Sequence, residues 1–338
     1  MYLLAKYFRI KIELIFLYSR KITKTPVAFA NMKQVGKKFI DSRLLLFLGL
    51  FFLYSGCTSR AGHLVGEGGG PYNMTLSTGG AEWVVGSPID MTFKLVDSRT
   101  GEPINTLQTA HERLMHIFIT DESLEYFAHV HILGEAGEVE IVGGEYLARH
   151  TFNRSGLYRL VVEFVHFNRI WHKSFTLSVA TLSDDPKDID LGILNKSGYQ
   201  LRLDSPDKIY PGEEVELSLS IEREGLPVSN LQTFLGSELH GAVWRDDLRD
   251  FGHLHSFTPK MENLLNAISS REGNSRISPS QLQAALVELM CGESELVFPG
   301  PLVPLRYTFP NEGIYHLFLQ VAPLGVPITE KFILEVGR

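Results

Sequence analysis

The chain has 338 residues, 32 Lys/Arg against 39 Asp/Glu, 12 histidines and two cysteines. At most one disulfide is possible, which excludes a small cysteine-stapled scaffold. A formal net charge of −7 argues against nucleic acid as a partner.

The first element is an apolar run, LLLFLGLFFLY over residues 44–54, too short to span a bilayer comfortably as a helix. Lys33, Lys37, Lys38 and Arg43 precede it and Ser55-Gly56-Cys57 follows it, the order of parts in a secretory signal. The ending LYSGC resembles a bacterial lipobox, which implies acylation of Cys57 and anchorage to a membrane through it. Tyr54 departs from the small or aliphatic residue usual there, and the alternative is an ordinary signal cleaved nearby. Met32 would begin a signal of normal length and is the expected start. Residues 1–56 are therefore a leader, and the Gly-rich stretch 57–76, around GEGGGP, reads as a flexible tether. The leader holds ten Lys/Arg and two Asp/Glu, which leaves 22 and 37, or −15, beyond it. That charge disfavours anionic membrane surfaces as well as nucleic acid. With Cys57 lipidated, Cys291 has no partner for a disulfide.

Beyond the tether the chain repeats itself at an offset of 124. Gly101, Pro103, His116, Leu124, Phe127, His129 and His131 fall on Gly225, Pro227, His240, Leu248, Phe251, His253 and His255. Upstream, Met91, Phe93 and Leu95 alternate as Val215, Leu217 and Leu219 do, the period of a half-buried strand. Downstream, Phe152, Gly156 and Tyr158 match Phe309, Gly313 and Tyr315 across NRSG and PNEG turns. Six or seven short strands in each copy predict an all-β chain of two tandem immunoglobulin-like β-sandwiches, over 77–182 and 199–338. A small barrel is the alternative. A polar linker over 183–198 separates the modules. The second module carries a helical insertion at about 258–292, where Ser278 reads as N-cap, Pro279 as the first helical residue and Gln281 as the partner in a capping box.

LMHIFITDESLEYFAHVHI reads as a β-hairpin. A turn centred on Glu122-Ser123 sets His116 opposite His129, with His131 two residues further along the same face. The second copy sets His240 opposite His253, with His255 beyond. Three imidazoles on one sheet face are a ligand set for Cu²⁺ or Zn²⁺, with Met115, Met290 or Cys291 as soft additional donors. Two competing readings are a buried histidine network and a partner-docking face; burying six titratable rings without partners is costly. A one-residue slip of the turn would send His116 to the other face. His111, His150, His166, His172 and His316 show no such pattern and read individually as ordinary histidines, and His63 lies in the tether. No G-x-S-x-G, H-E-x-x-H, glycine-rich phosphate loop or C-x-x-C is present, so no enzyme is expected.

The segments HERLMHIFITDESLEYFAHVHI and TFNRSGLYRLVVEF resemble the small secreted bacterial domains of the YtkA-like kind. Those are immunoglobulin-like sandwiches with a MHLxxxxxDLxxFxHxHP-type stretch and an F…GxYxL strand. The resemblance covers residues 80–182 and 200–338 without the insertion. Ile132 and Ser256 depart from it where proline is usual, and Leu239 replaces the methionine. It implies an exported protein linked with copper or other heavy metals, with Met115, His116, His129 and His131 as ligands. The whole reads as a lipid-anchored envelope protein at the outer membrane, facing periplasm or surface. It would bind copper or zinc through its histidine clusters for sequestration, delivery or sensing. The alternative is a non-metal interaction lipoprotein that docks an envelope protein partner.

Overall fold

A computed structural model describes residues 63–134, 140–181, 198–272, 279–291 and 296–337. The expected leader over residues 1–56, Cys57, Ser278 and nearly all of the expected linker lie outside the described residues. Both modules belong to one compact unit, Ser59–Arg338.

The first module is a sandwich of two antiparallel sheets. One sheet orders β1 (His63–Val65), β2 (Tyr72–Ser77), β3 (Pro88–Asp97) and β6 (Glu145–Thr151). The other orders β5 (Phe127–His131), β4 (Met115–Asp121), β7 (Gly156–His166) and β8 (Arg169–Val179). Alternation along β3 sends Ile89, Met91, Phe93 and Leu95 inward against Ile117, Ile119, Leu160, Val162 and Phe175. Each such side chain contributes about 1.5–3 kcal/mol by leaving water.

The second module repeats the plan. Its outer sheet centres β10 (Glu214–Arg223) among β9 (Tyr199–Asp204), β11 (Leu226–Pro227) and β15 (Leu302–Thr308). The other orders β14 (Phe251–His255), β13 (Leu239–Arg245), β16 (Gly313–Pro323) and β17 (Ile328–Val336), with β12 (Leu231–Gln232) on the end of β16. Tyr158 donates to the Arg154 carbonyl and Tyr315 to that of Asn311, both at 2.9 Å, the corner tyrosine of immunoglobulin-like sandwiches in each copy. The insertion holds two helices, α1 (Pro259–Glu272) and α2 (Pro279–Met290), where the sequence suggested only the second. Among the described residues no helix is long and apolar enough to cross a membrane.

Two expectations are corrected. From residue 63 on, the supposed tether is part of the sandwich: β1 and β2 extend the first sheet. At Gly68, φ 124°, a Cβ would press on the His172 carbonyl, and Lys173 Nζ donates to the carbonyls of Gly68 and Gly69 at 2.6 and 3.0 Å. Gly70, at φ 103°, lies flat against the Trp171 ring where a Cβ would collide. The hairpin register also differs by two. His116 pairs with His131 and Phe118 with His129; His240 pairs with His255 and Ala242 with His253. The loop is longer than a tight turn, with Leu124 (φ 56°) and Leu248 (φ 59°) in left-handed conformation. The Asp121 carboxylate accepts from the amides of Glu125 and Tyr126, both at 2.9 Å, and so holds the first loop. An even slip keeps every histidine on its expected face.

That face is covered. Met115–Thr120 of β4 are buried throughout, because one side packs in the module's own core and the other meets the second module. Phe118, Phe127 and Val161 meet Ala242, Trp244 and Phe318 in a second apolar layer. The Phe127 and Phe318 rings stack at 4.7 Å and 8°. The two sandwiches therefore join through their histidine-bearing sheets. Aromatic residues fill one end of the interface and imidazoles the other.

Candidate metal centre

His116 projects from β4 and His129 and His131 from β5, and one nitrogen of each lies within 4.8 Å of the others. The hydrogen bonds around them fix their tautomers. His116 Nε2 lies 3.0 Å from the Ala110 carbonyl, which can only accept, so Nε2 carries the proton and Nδ1 a lone pair. His129 Nδ1 lies 3.0 Å from Gln320 Oε1 of β16, which leaves its Nε2 unprotonated. These two lone pairs face each other, with His116 Nδ1 to His129 Nε2 at 3.0 Å and His131 Nε2 3.2 Å from the same His129 nitrogen. A proton or a cation between them would relieve the contact. Protons are disfavoured: burial lowers His116 to about 4 and His131 to about 2. His129 falls well below its usual value through burial and neighbouring imidazoles. The donor set fits a divalent transition metal, with Ala110 and Gln320 as outer partners of the kind that orient metal-bound histidines.

Met115 does not join them. Strand alternation turns it to the opposite face, fully buried beside Ile117 and Ile119.

The second cluster is arranged differently from the predicted trio. His240 Nε2 donates to the carbonyls of Phe234 and Leu235 at 2.8 and 3.1 Å, so its Nδ1 carries a lone pair. His253 turns its Nδ1 to Glu163 Oε1 of the first module, 2.7 Å away, and its Nε2 lies 3.4 Å from His240 Nδ1. The group whose nitrogens converge within 4.8 Å is His111, His240 and His255. Met290 packs with Ala110, Val165 and Val287 instead, and Cys291 is exposed.

Glu163 is 3% exposed. Burial opposes its charge, but His253 and His172 hold its carboxyl well below the usual carboxylate range. His172 Nε2 contacts Glu163 Oε2 at 2.6 Å. Of the remaining histidines, His150 Nε2 takes the Tyr126 hydroxyl at 2.6 Å and His166 Nδ1 the Tyr72 hydroxyl at 2.7 Å. Sequence reasoning missed His111, Glu163 and Gln320. Glu163 and Gln320 share the offset of 157 that relates Tyr158 to Tyr315. Each is one polar residue inside an apolar run, LVVEFV and LFLQVA, the signal that could have found them.

Two immunoglobulin-like sandwiches joined through histidine-bearing sheets define the class of protein. The chain belongs to the family described as Domain of unknown function (DUF8832), which matches residues 67–181 and 194–338, one stretch for each module. No curated protein matches it. Among solved structures it is similar to a β-glycosidase from Bacteroides vulgatus, at 12% identity and a TM-score of 0.20, over 78% of this chain and 24% of that one. It is similar also to red sea bream transglutaminase, at 11% identity and 0.20, over 78% and 31%. The same holds for Salmonella α2-macroglobulin reacted with methylamine, at 12% identity and 0.22, over 81% and 15%. The chain thus spans less than a third of each of these proteins, and likenesses at such scores carry no argument about activity.

Proposed function

We propose that the protein binds a transition metal, copper or zinc, through the histidines at its module interface, and that it sequesters, delivers or senses that metal in the cell envelope. One observation carries the reading: the facing lone pairs of His116 Nδ1 and His129 Nε2, 3.0 Å apart, with His131 Nε2 beside them. Neutral imidazoles suit Cu²⁺ and Zn²⁺, and burial keeps these rings neutral at physiological pH. The resemblance to YtkA-like domains supports the metal, and the LYSGC stretch supports an envelope lipoprotein anchored through Cys57. A role as a lipoprotein that docks an envelope partner is the second reading; the extent of the histidine-bearing face already covered by the sister module weighs against that face as the docking surface.

Calorimetric titration of the metal-free protein with Cu²⁺ and Zn²⁺ tests the first reading. Tight binding is expected, and at the His116 group it should weaken at least tenfold in His129→Ala/His131→Ala. A wild type without tight binding refutes the metal. Membrane fractionation tests the anchor: Cys57→Ser should move the protein from the membrane to the soluble fraction, and an unchanged distribution refutes lipidation.

A further inference from the structure

His111 stands out because its copy-two counterpart at the repeat offset is Leu235, so the repeat gives it no mark. It sits in a tight loop closed by paired backbone bonds between Ala110 and Arg113, at 2.8 and 2.9 Å, with His111 at φ 44° and Glu112 at φ 64°. From there its ring leaves the first module and stacks on His255 of the second, centroids 3.9 Å apart at 25°, with His240 at 5.2 Å. Nε2 of His111 and Nε2 of His255 are both buried with no hydrogen-bond partner among the described residues. A buried polar atom left unpaired is destabilising. One nitrogen each of His111, His240 and His255 lies within 4.8 Å of the others, and two unpaired ring nitrogens in such a cluster are hard to explain as packing alone.

We infer that His111, His240 and His255 form a second metal site, separate from the His116 group, whose ligands come from both modules and which takes Zn²⁺ or Cu²⁺. It rests on the same imidazole–metal chemistry as the proposed function but uses none of the same ligands. His253, between the two groups, contacts Glu163 and His240 and leaves the third place to His111. The site also gives the insertion a role. The His111 amide donates to the carbonyl of Met290, the last residue of α2, at 2.7 Å. Val287 and Met290 pack on Ala110 and Val165. An insertion in the second module thus holds the loop of the first that supplies the ligand, and metal bound here would tie the two sandwiches together.

The test is calorimetric titration of the metal-free protein with Zn²⁺, wild type against His111→Ala, His131→Ala and the double variant. Two equivalents are expected in the wild type, one in each single variant and none in the double. His111→Ala should also lose part of the zinc-induced rise in unfolding temperature. Two equivalents of unchanged affinity in His111→Ala overturn this inference and leave the His116 group standing. One equivalent that His131→Ala abolishes and His111→Ala spares does the same. One equivalent that only His111→Ala abolishes supports this site and overturns the other. No binding in the wild type overturns both. If His111→Ala does not fold without metal, the stoichiometry of His111→Gln decides in the same way.

Discussion

Glu163 of the first module accepts a hydrogen bond from His253 Nδ1 of the second at 2.7 Å, and the repeat-equivalent Gln320 of the second accepts one from His129 Nδ1 of the first at 3.0 Å. Each module thus orients a histidine of its neighbour, and the exchange fixes which nitrogen of each ring faces the cluster. The two partners differ in charge, a carboxylate on one side and an amide on the other.

The first prediction concerns that carboxylate. Glu163→Ala leaves His253 Nδ1–H buried with its acceptor removed and His172 without its partner. Leaving a buried hydrogen-bond donor without its acceptor costs about 1–3 kcal/mol. Urea unfolding of the metal-free protein should lose stability in that range, and Glu163→Gln should lose less. A Glu163→Ala variant within 0.5 kcal/mol of wild type would contradict the cross-module role.

A second prediction concerns the aromatic end of the interface. Phe318 is fully buried against Phe127, and Phe→Ala substitutions in cores cost about 3–5 kcal/mol. Because the loss falls between modules, Phe318→Ala should split urea unfolding into two transitions. A single transition with an unchanged midpoint would show that the sandwiches do not depend on this contact.

The third prediction is a pH dependence. His116 in the cluster and His150 outside it are both lowered from 6.5 to about 4 by burial. Below pH 6.5 the unfolded chain takes up protons that the fold does not. Stability present above pH 6.5 is therefore lost as pH falls towards 4, by up to about 1.4 kcal/mol per unit for each group. The metal-free urea midpoint should fall steadily from pH 7 to 4.5. His150→Gln should show a shallower slope, and a flat wild-type profile would contradict the burial of these rings.

Much of this was legible in the chain. The offset of 124 and the Phe/Gly/Tyr matches located the strands of both sandwiches, and period-2 alternation placed the six histidines on one face of each hairpin. The register escaped because a loop with Leu124 or Leu248 in left-handed conformation has no glycine or asparagine to advertise it. An even slip made that harmless for the face, although it changed the partners. The docking of module on module was less visible, since β4 is apolar on the core side and carries Phe118 beside its one histidine on the other. His111 could not be found from its own segment: its closest ring neighbours, His255 and His240, and the Met290 carbonyl that its amide meets all come from the second module.

The most direct test of the central claim is X-ray absorption on the zinc-loaded protein. The expected first shell is dominated by nitrogen at about 2.0–2.1 Å, with the outer-shell scattering of at least two imidazoles per metal. His129→Ala/His131→Ala should lose that imidazole signal at one of the two sites. A first shell of oxygen or sulfur without imidazole scattering would contradict the claim.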